Sequence, residues 1–112
     1  MPDEVSVDEA SRRYEITADG EVAGFVTYRD NGAVRTLLHT EVDPAYEGRG
    51  LGSRLIQAAL DDVRERGLGL RPVCPFVRAF LDKRPEYAEL VPEAERSRFG
   101  LEPSGGSAGS SA

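Results

Sequence analysis

A mixed α+β fold is predicted for this chain on three observations. Three segments rich in β-branched and aromatic residues follow one another, separated by tight-turn signals. The apolar spacing then changes from every second residue to every third to fifth. One short apolar run and a second helical stripe come after that change. The predicted order is βββαβα: an antiparallel meander, then a helix that lets a fourth strand run parallel to the third.

Residues 1–10 are acidic and polar, and are expected to be a flexible N-terminus. Arg13-Tyr14-Glu15-Ile16-Thr17-Ala18 alternates and reads as the first strand. Asp19-Gly20 is a strong hairpin signal, and Val22 to Tyr28 is the partner strand. Asp30-Asn31-Gly32 makes the second turn, and the third strand runs from Val34 to Val42, before Pro44. Leu51, Leu55, Ile56, Ala59, Leu60 and Val63 then form one face of a helix, which Gly67 ends. Leu68 to Val73 is the fourth strand. Pro75 suits the first position of a second helix, with Phe76, Val77, Phe80 and Leu81 as its apolar stripe and Pro85 as its stop. The pattern weakens from Glu86, although Pro92 to Arg96 carry a short helical start. Residues 103–112 are Gly/Ser-rich and expected to be a disordered tail. The domain is therefore expected over residues 11–102.

The chain has 112 residues, a formal net charge of −6 and a pI near 4.8. That length suits one domain. Nucleic acid is disfavoured as a partner, because phosphate backbones reward clustered Lys and Arg. The basic residues here are scattered among more numerous acids, and Lys83 is the one lysine. The acidic, lysine-poor balance suits either a high-salt cytoplasm or a GC-rich genome. With one cysteine, Cys74, no intrachain disulfide can form, and a single histidine makes a poor metal-ligand set. No segment has the pattern of a signal peptide or the roughly 20 apolar residues of a membrane span. A cytoplasmic protein, monomeric or weakly dimeric, is the expectation.

Most functional information lies in Glu41-Val42-Asp43-Pro44-Ala45-Tyr46-Glu47-Gly48-Arg49-Gly50-Leu51-Gly52-Ser53-Arg54. Gly48, Gly50 and Gly52 stand between a strand end and a helix start. Glycine permits close backbone approach, and a helix N-terminus offers unpaired N–H groups and partial positive charge. Together these suit a phosphate. No Gly-Lys-Ser/Thr follows, so this is not a nucleoside-triphosphate loop, and the glycine spacing is not that of a dinucleotide fold. On the glycines alone, a strand-to-helix turn without a ligand is equally open.

The context Val42-Asp43-Pro44-x-Tyr46-x-Gly48-x-Gly50-x-Gly52 resembles the acyl-CoA-binding segment of the GNAT N-acetyltransferase superfamily. That loop reads Gln/Arg-x-x-Gly-x-Gly/Ala; Gly50 and Gly52 match its last two positions, and Glu47 departs from its first. Pro72-x-Cys74-Pro75-Phe76-Val77-x-x-Phe80-Leu81-x-Lys83-Arg84-Pro85-Glu86-Tyr87, with His39-Thr40-Glu41-Val42, is similar to the minimal single-domain, YjdJ-type branch. The resemblance covers roughly residues 12 to 91. It implies acetyl-CoA as co-substrate, with the CoA pyrophosphate on the amides of Gly48, Arg49, Gly50, Leu51, Gly52 and Ser53, and Glu47 turned away. Arg49, Arg54 and Lys83 are candidate phosphate cations. The pantetheine arm would run along the third strand where it splays from the fourth, and a backbone N–H near Val42 would hold the oxyanion. Two things the family usually has are missing: the pair of helices between the first two strands, and the tyrosine that protonates the departing thiolate, whose place Leu81 holds.

Three residues are catalytic candidates. Cys74 precedes Pro75 and so falls at a helix N-terminus, where a thiol is acidified and could take the acetyl group covalently. It could equally be a small buried hydrophobe, or line the thiol pocket. His39 is the one histidine, a residue type that titrates near working pH, and could deprotonate the incoming ammonium. Glu41 shares its strand face and could orient His39 or act as base. The bland alternative for both is the solvent side of the sheet. The leading reading is transfer of an acetyl group to an amine, and an open acceptor side suits a lysine or N-terminus on a protein. The competing reading is a CoA-binding module without catalysis.

Overall fold

Alternation and turn chemistry build the first half of the chain. The computed structural model describes residues 4–46 and 48–99. Its strands are β1 (Glu4–Asp8), β2 (Arg13–Ala18), β3 (Glu21–Asn31), β4 (Val34–Val42) and β5 (Gly69–Pro72), and its helices are α1 (Leu51–Glu65) and α2 (Pro75–Lys83). They form one sheet in the order β1-β2-β3-β4-β5, antiparallel throughout except for the parallel pair β4–β5. The mixed α+β sheet with its single parallel pair is the predicted architecture. The meander, however, has four strands rather than three.

Over Glu4–Asp8 the additional strand corrects the reading of residues 1–10 as flexible. Glu4–Asp8 pairs with β2, Val5 opposite Ile16 and Val7 opposite Tyr14. Both valines pack on the core. Two apolar residues in an acidic stretch were too weak a signal. Two further boundaries move: β3 continues through Asn31, and β5 is confined to Gly69–Pro72. From Pro85 the chain makes two 3-10 turns, Pro85–Leu90 and Glu93–Phe99. Glu47 and the tail 103–112 lie outside the described residues.

Local chemistry explains the elements. Asp19 and Gly20 both take positive φ, 56° and 82°, as a two-residue hairpin of the primed type requires. All six residues of the predicted α1 stripe, Leu51 through Val63, are at most 1% exposed. They pack on Tyr14, Ile16, Val26, Leu37 and Leu70, which are the alternate residues of the facing strands. Each of the buried Leu, Ile and Val side chains contributes about 1.5–3 kcal/mol. Leu68 N–H closes α1 by bonding to Val63 O, past Gly67 at φ 70°.

A bulge decides which way the functional end of β4 faces. Tyr28 pairs with Leu37 but Thr27 pairs with His39, so Leu38 has no partner of its own. Simple alternation from buried Leu37 would turn His39 and Glu41 into the core. The extra residue reverses the parity, turning Thr40 toward the helices and His39 and Glu41 toward the opposite face.

A buried cation ties the other end together. Arg35 Nε and Nη2 donate to the two carboxylate oxygens of Asp30 at 2.7 and 2.8 Å, and Nη1 donates to Tyr14 Oη at 2.8 Å. Tyr14 in turn donates to Asp62 of α1 at 2.7 Å. Burial, then the Asp62 carboxylate, pushes the Tyr14 phenol well above its ordinary range. The Arg35 hydrogen bond holds Asp30 below its ordinary 3.8. A carboxylate with a lowered folded pKa stabilises above its unfolded pKa, so the Asp30 contribution should fade as pH drops below about 4. Urea midpoints measured from neutral pH into acid should fall less steeply for Asp30→Asn than for the parent. Equal slopes would show that Asp30 adds nothing to acid sensitivity.

Candidate active site

The site is built where β4 outruns β5. Parallel pairing ends at Leu37–Pro72, whereas β4 continues to Val42. The Cys74 N–H makes the last tie, donating to Leu37 O at 3.0 Å. Beyond it the β5 side of β4 is a fork between diverging segments. Cys74 sits in the crotch as the N-cap residue of α2, 3% exposed, its Sγ 3.2 Å from Thr40 Oγ1. Pro75 follows as the first helical residue, as predicted, since it needs no N–H partner there.

The glycine run begins at the far end of β4. Asp43 N–H donates to Ala23 O at 2.7 Å, and the Asp43 carboxylate accepts from Ala45 N–H at 2.9 Å. Pro44–Tyr46 form a 3-10 turn, Gly48 and Gly50 take φ of 85° and 72°, and α1 starts at Leu51. Gly50 is the N-cap, and among the described residues no side chain caps this end. The first intrahelical bond is Arg54 N–H to Gly50 O at 3.2 Å, so among the described residues the amides of Leu51, Gly52 and Ser53 have no intrahelical partner and face a ligand or water. The Leu51 side chain is core, so only its backbone can serve there.

The candidate cations differ in position. Arg49 pairs with Asp19 at 3.2 Å and lies over the Tyr46 ring at 5.3 Å. Arg54 is exposed on the first turn of α1. Lys83 is in the last turn of α2. It is the other end of α2 that meets the loop: a Cβ on Gly52 would lie 2.6 Å from Phe76 Cζ. Lys83 is seven residues beyond Phe76, about 10 Å along the helix axis. Leu81, standing where the family's acid would be, is 1% exposed in the core.

The catalytic candidates form two groups on opposite sides of β4. Cys74 and Thr40 are together on the helix side. His39 Nε2 and Glu41 Oε2 are 2.8 Å apart on the other face, 59% and 62% exposed, with Phe25 6.4 Å from the imidazole. Direct Cys–His pairing is thus ruled out by the strand between them. A shallow cavity of about 360 Å³ adjoins the second group, lined by Gly24, Phe25, Glu41, Val42 and Asp43 among others. Two contributors were missed from sequence. Thr40 meets Cys74 only through the fold. Gly24, where a Cβ would lie 2.7 Å from Glu41 O, had a visible signal: a glycine inside a strand marks close approach.

A forked mixed sheet with an uncapped glycine loop leading into a helix defines a GNAT-type domain. The chain belongs to the GCN5-related N-acetyltransferase family, whose profile matches residues 13–90. It is 31% identical to protein NATD1 of Danio rerio over 91 residues, 78% of this chain and 83% of the relative. It is 40% identical to protein NATD1 of Bos taurus over 57 residues, 49% of this chain and 50% of the relative. The chain spans about half the length of the bovine, mouse and human relatives it matches. A GCN5-like protein of Staphylococcus aureus solved by NMR superposes with a TM-score of 0.60 at 26% identity, covering 80% of this chain and 87% of that one. The ribosomal-protein-S18-alanine N-acetyltransferase of Escherichia coli gives 0.50 at 31% identity, over 53% of this chain and 40% of that one.

Proposed function

We propose that this chain transfers the acetyl group of acetyl-CoA to an amine. One observation carries the reading: the fork, with an uncapped glycine-loop helix at its mouth and Cys74 and Thr40 in its crotch. The CoA pyrophosphate is held by the amides from Gly48 to Ser53 with help from Arg49 and Arg54, and Lys83 is a more distant candidate. The pantetheine arm pairs with the free edge of β4 and brings the thioester to Val42, whose N–H stabilises the oxyanion.

The acceptor approaches from the other face. His39, oriented by Glu41, takes a proton from the ammonium, and the neutral amine attacks the thioester carbon. The C–N bond forms, the C–S bond breaks, and the proton shed by the attacking nitrogen passes through solvent to the departing thiolate, so CoA leaves as the thiol. In this direct route Cys74 and Thr40 line the sulfur pocket. His39→Gln should then cut kcat about a hundredfold, the usual worth of a general base. Cys74→Ala should cost less than tenfold, about what a lining group is worth. Mass spectrometry after incubation with acetyl-CoA alone tests the covalent route: a stoichiometric acetyl-Cys74 would replace the direct mechanism.

A second reading, a CoA-binding module without turnover, is favoured by Leu81, which leaves the departing thiolate without the family's usual acid. Calorimetry with acetyl-CoA and CoA, alongside an assay for released thiol with amine acceptors, separates the two. Binding without turnover supports the module. No binding at millimolar ligand would end both. Relatives are named for different acceptors: the Escherichia coli enzyme for an alanine of ribosomal protein S18, and the acetyltransferase of Streptomyces lavendulae, 41% identical over 48% of this chain, for streptothricin.

A further inference from the structure

We infer that the acceptor amine belongs to a basic, extended peptide lying across the helix-free face of the sheet; this rests on the acetyl-transfer reading and names its substrate class. Both helices pack on the side of Tyr14, Val26 and Leu37. The first C-terminal 3-10 turn packs on α1, its Tyr87 Oη donating to Asp61 at 2.8 Å, and the second reaches the β5 end of the other side, where a Cβ on Gly69 would meet Pro92 at 3.4 Å and Arg71 pairs with Glu95 at 2.8 Å. His39 and Glu41 are exposed, and Phe25 is half-buried beneath the Arg13 guanidinium. The cavity beside them is shallow, and small-molecule sites normally enclose most of their ligand. A surface this open fits a chain laid along it.

The charge of the face selects a cation. Glu4, Asp8, Glu15 and Glu41 share this face with Arg13 and Arg29, and Asp43 lines the cavity beside them. Arg13 is already committed: its guanidinium bonds Glu15 at 2.7 Å and lies 4.7 Å over the Phe25 ring. An aromatic face bearing a guanidinium between carboxylates is a site where Arg or Lys binds, because the ring quadrupole and the carboxylates favour the same sign. From Glu41 on β4 to Glu15 on β2 is two strand spacings, about 10 Å, which three residues of extended chain span. With the accepting amine at Glu41, a second positive charge two or three residues away reaches Glu15 and Phe25, where it takes the place of the Arg13 guanidinium. Charges further off fall beyond the roughly 8 Å screening length of physiological salt.

The test uses two peptides of about eight residues. Each carries one free lysine amine; arginines flank it at two and three residues in one, and glutamates in the other. Binding is followed by NMR shifts at Thr17, Phe25 and Thr27, with and without CoA. We expect the arginine peptide to bind at least tenfold more tightly, Glu15→Lys to erase that preference, and Arg13→Gln to strengthen it. Equal binding, shifts confined to other faces, or tighter binding of spermidine than of the peptide would overturn the inference. Acetyl-CoA calorimetry on the same samples separates the two claims. If acetyl-CoA fails to bind while the arginine peptide still docks on this face, the transfer reading falls and the surface stands. If transfer proceeds equally to both peptides, the surface falls and the transfer reading stands.

Discussion

Arg35→Ala should lower stability by about 3 kcal/mol, the low end for removing one partner of a buried ion pair. For a domain of this size that is a fall of roughly 12–20 °C in melting midpoint. The Arg35 side chain is 5% exposed, whereas Asp30 and Asp62 are 44% and 28% exposed. Because water can solvate the stranded carboxylates, the low end of the range applies. The loss still exceeds that of an ordinary surface pair, since the guanidinium does three things at once. It holds both oxygens of Asp30, donates to Tyr14, and stacks 3.9 Å from the Tyr28 ring centroid. Its removal leaves a void under the meander and frees the Tyr14–Asp62 link from its anchor. Arg35→Lys keeps the charge without the planar fork and should recover less than half of the loss. Arg35→Met fills the space and leaves Tyr14 bonded to Asp62, so it should be milder than alanine. Urea unfolding of the three variants measures this. A loss under 1 kcal/mol for Arg35→Ala would mean that the network is ornamental. Because Arg35 lies at the β3–β4 turn end, remote from the glycine loop, acetyl-CoA affinity measured well below the midpoint should not change.

That network also marks the limit of what the sequence makes legible. The bounds of β2 and β4 follow from alternation and from turn residues, which act over a few positions. The α1 face follows from six apolar residues at helical spacing. The glycine loop could be read because the role proposed for it falls on backbone, and glycine, proline and the strand-to-helix change all report on backbone. Side-chain groupings are another matter. Arg35 meets partners 5, 21 and 27 positions away, and Thr40 meets Cys74 across 34. No local pattern encodes such pairs. The bulge at Leu38 is subtler, because one unpaired residue reverses the facing of everything after it. His39 and Glu41 could be expected to share a face, but which face depended on that residue. The same reversal separates them from Cys74, two groups that the sequence left free to combine.

Gly50→Glu should abolish stabilisation by acetyl-CoA while leaving the fold within about 1 kcal/mol of the parent. Gly50 has φ 72°, and a side chain in that region costs about 1–2 kcal/mol. A carboxylate at a helix N-terminus returns about 0.3–1 kcal/mol through the dipole. Space is no obstacle, since a Cβ there meets no atom within 4 Å. The ligand fares differently. A carboxylate about 4 Å from a phosphate charge at a protein surface is repelled by about 4 kcal/mol, near a thousandfold in affinity. A ligand at a hundred times its dissociation constant stabilises the parent by about 2.7 kcal/mol, and the variant should lose essentially all of that. Gly50→Ala controls for backbone strain, because it shares the φ without the charge and should keep most of the shift. Gly52→Ala probes the neighbouring contact. Its Cβ would sit 2.6 Å from Phe76 Cζ, but that ring is 42% exposed and can swing outward. The fold should therefore tolerate Gly52→Ala, with Phe76 displaced from the loop. If Gly50→Glu kept the full acetyl-CoA shift, the phosphates would have to lie away from the α1 N-terminus. The fork alone would then carry the case for CoA, because without its anion the uncapped amides of Leu51 to Ser53 are only the start of a helix.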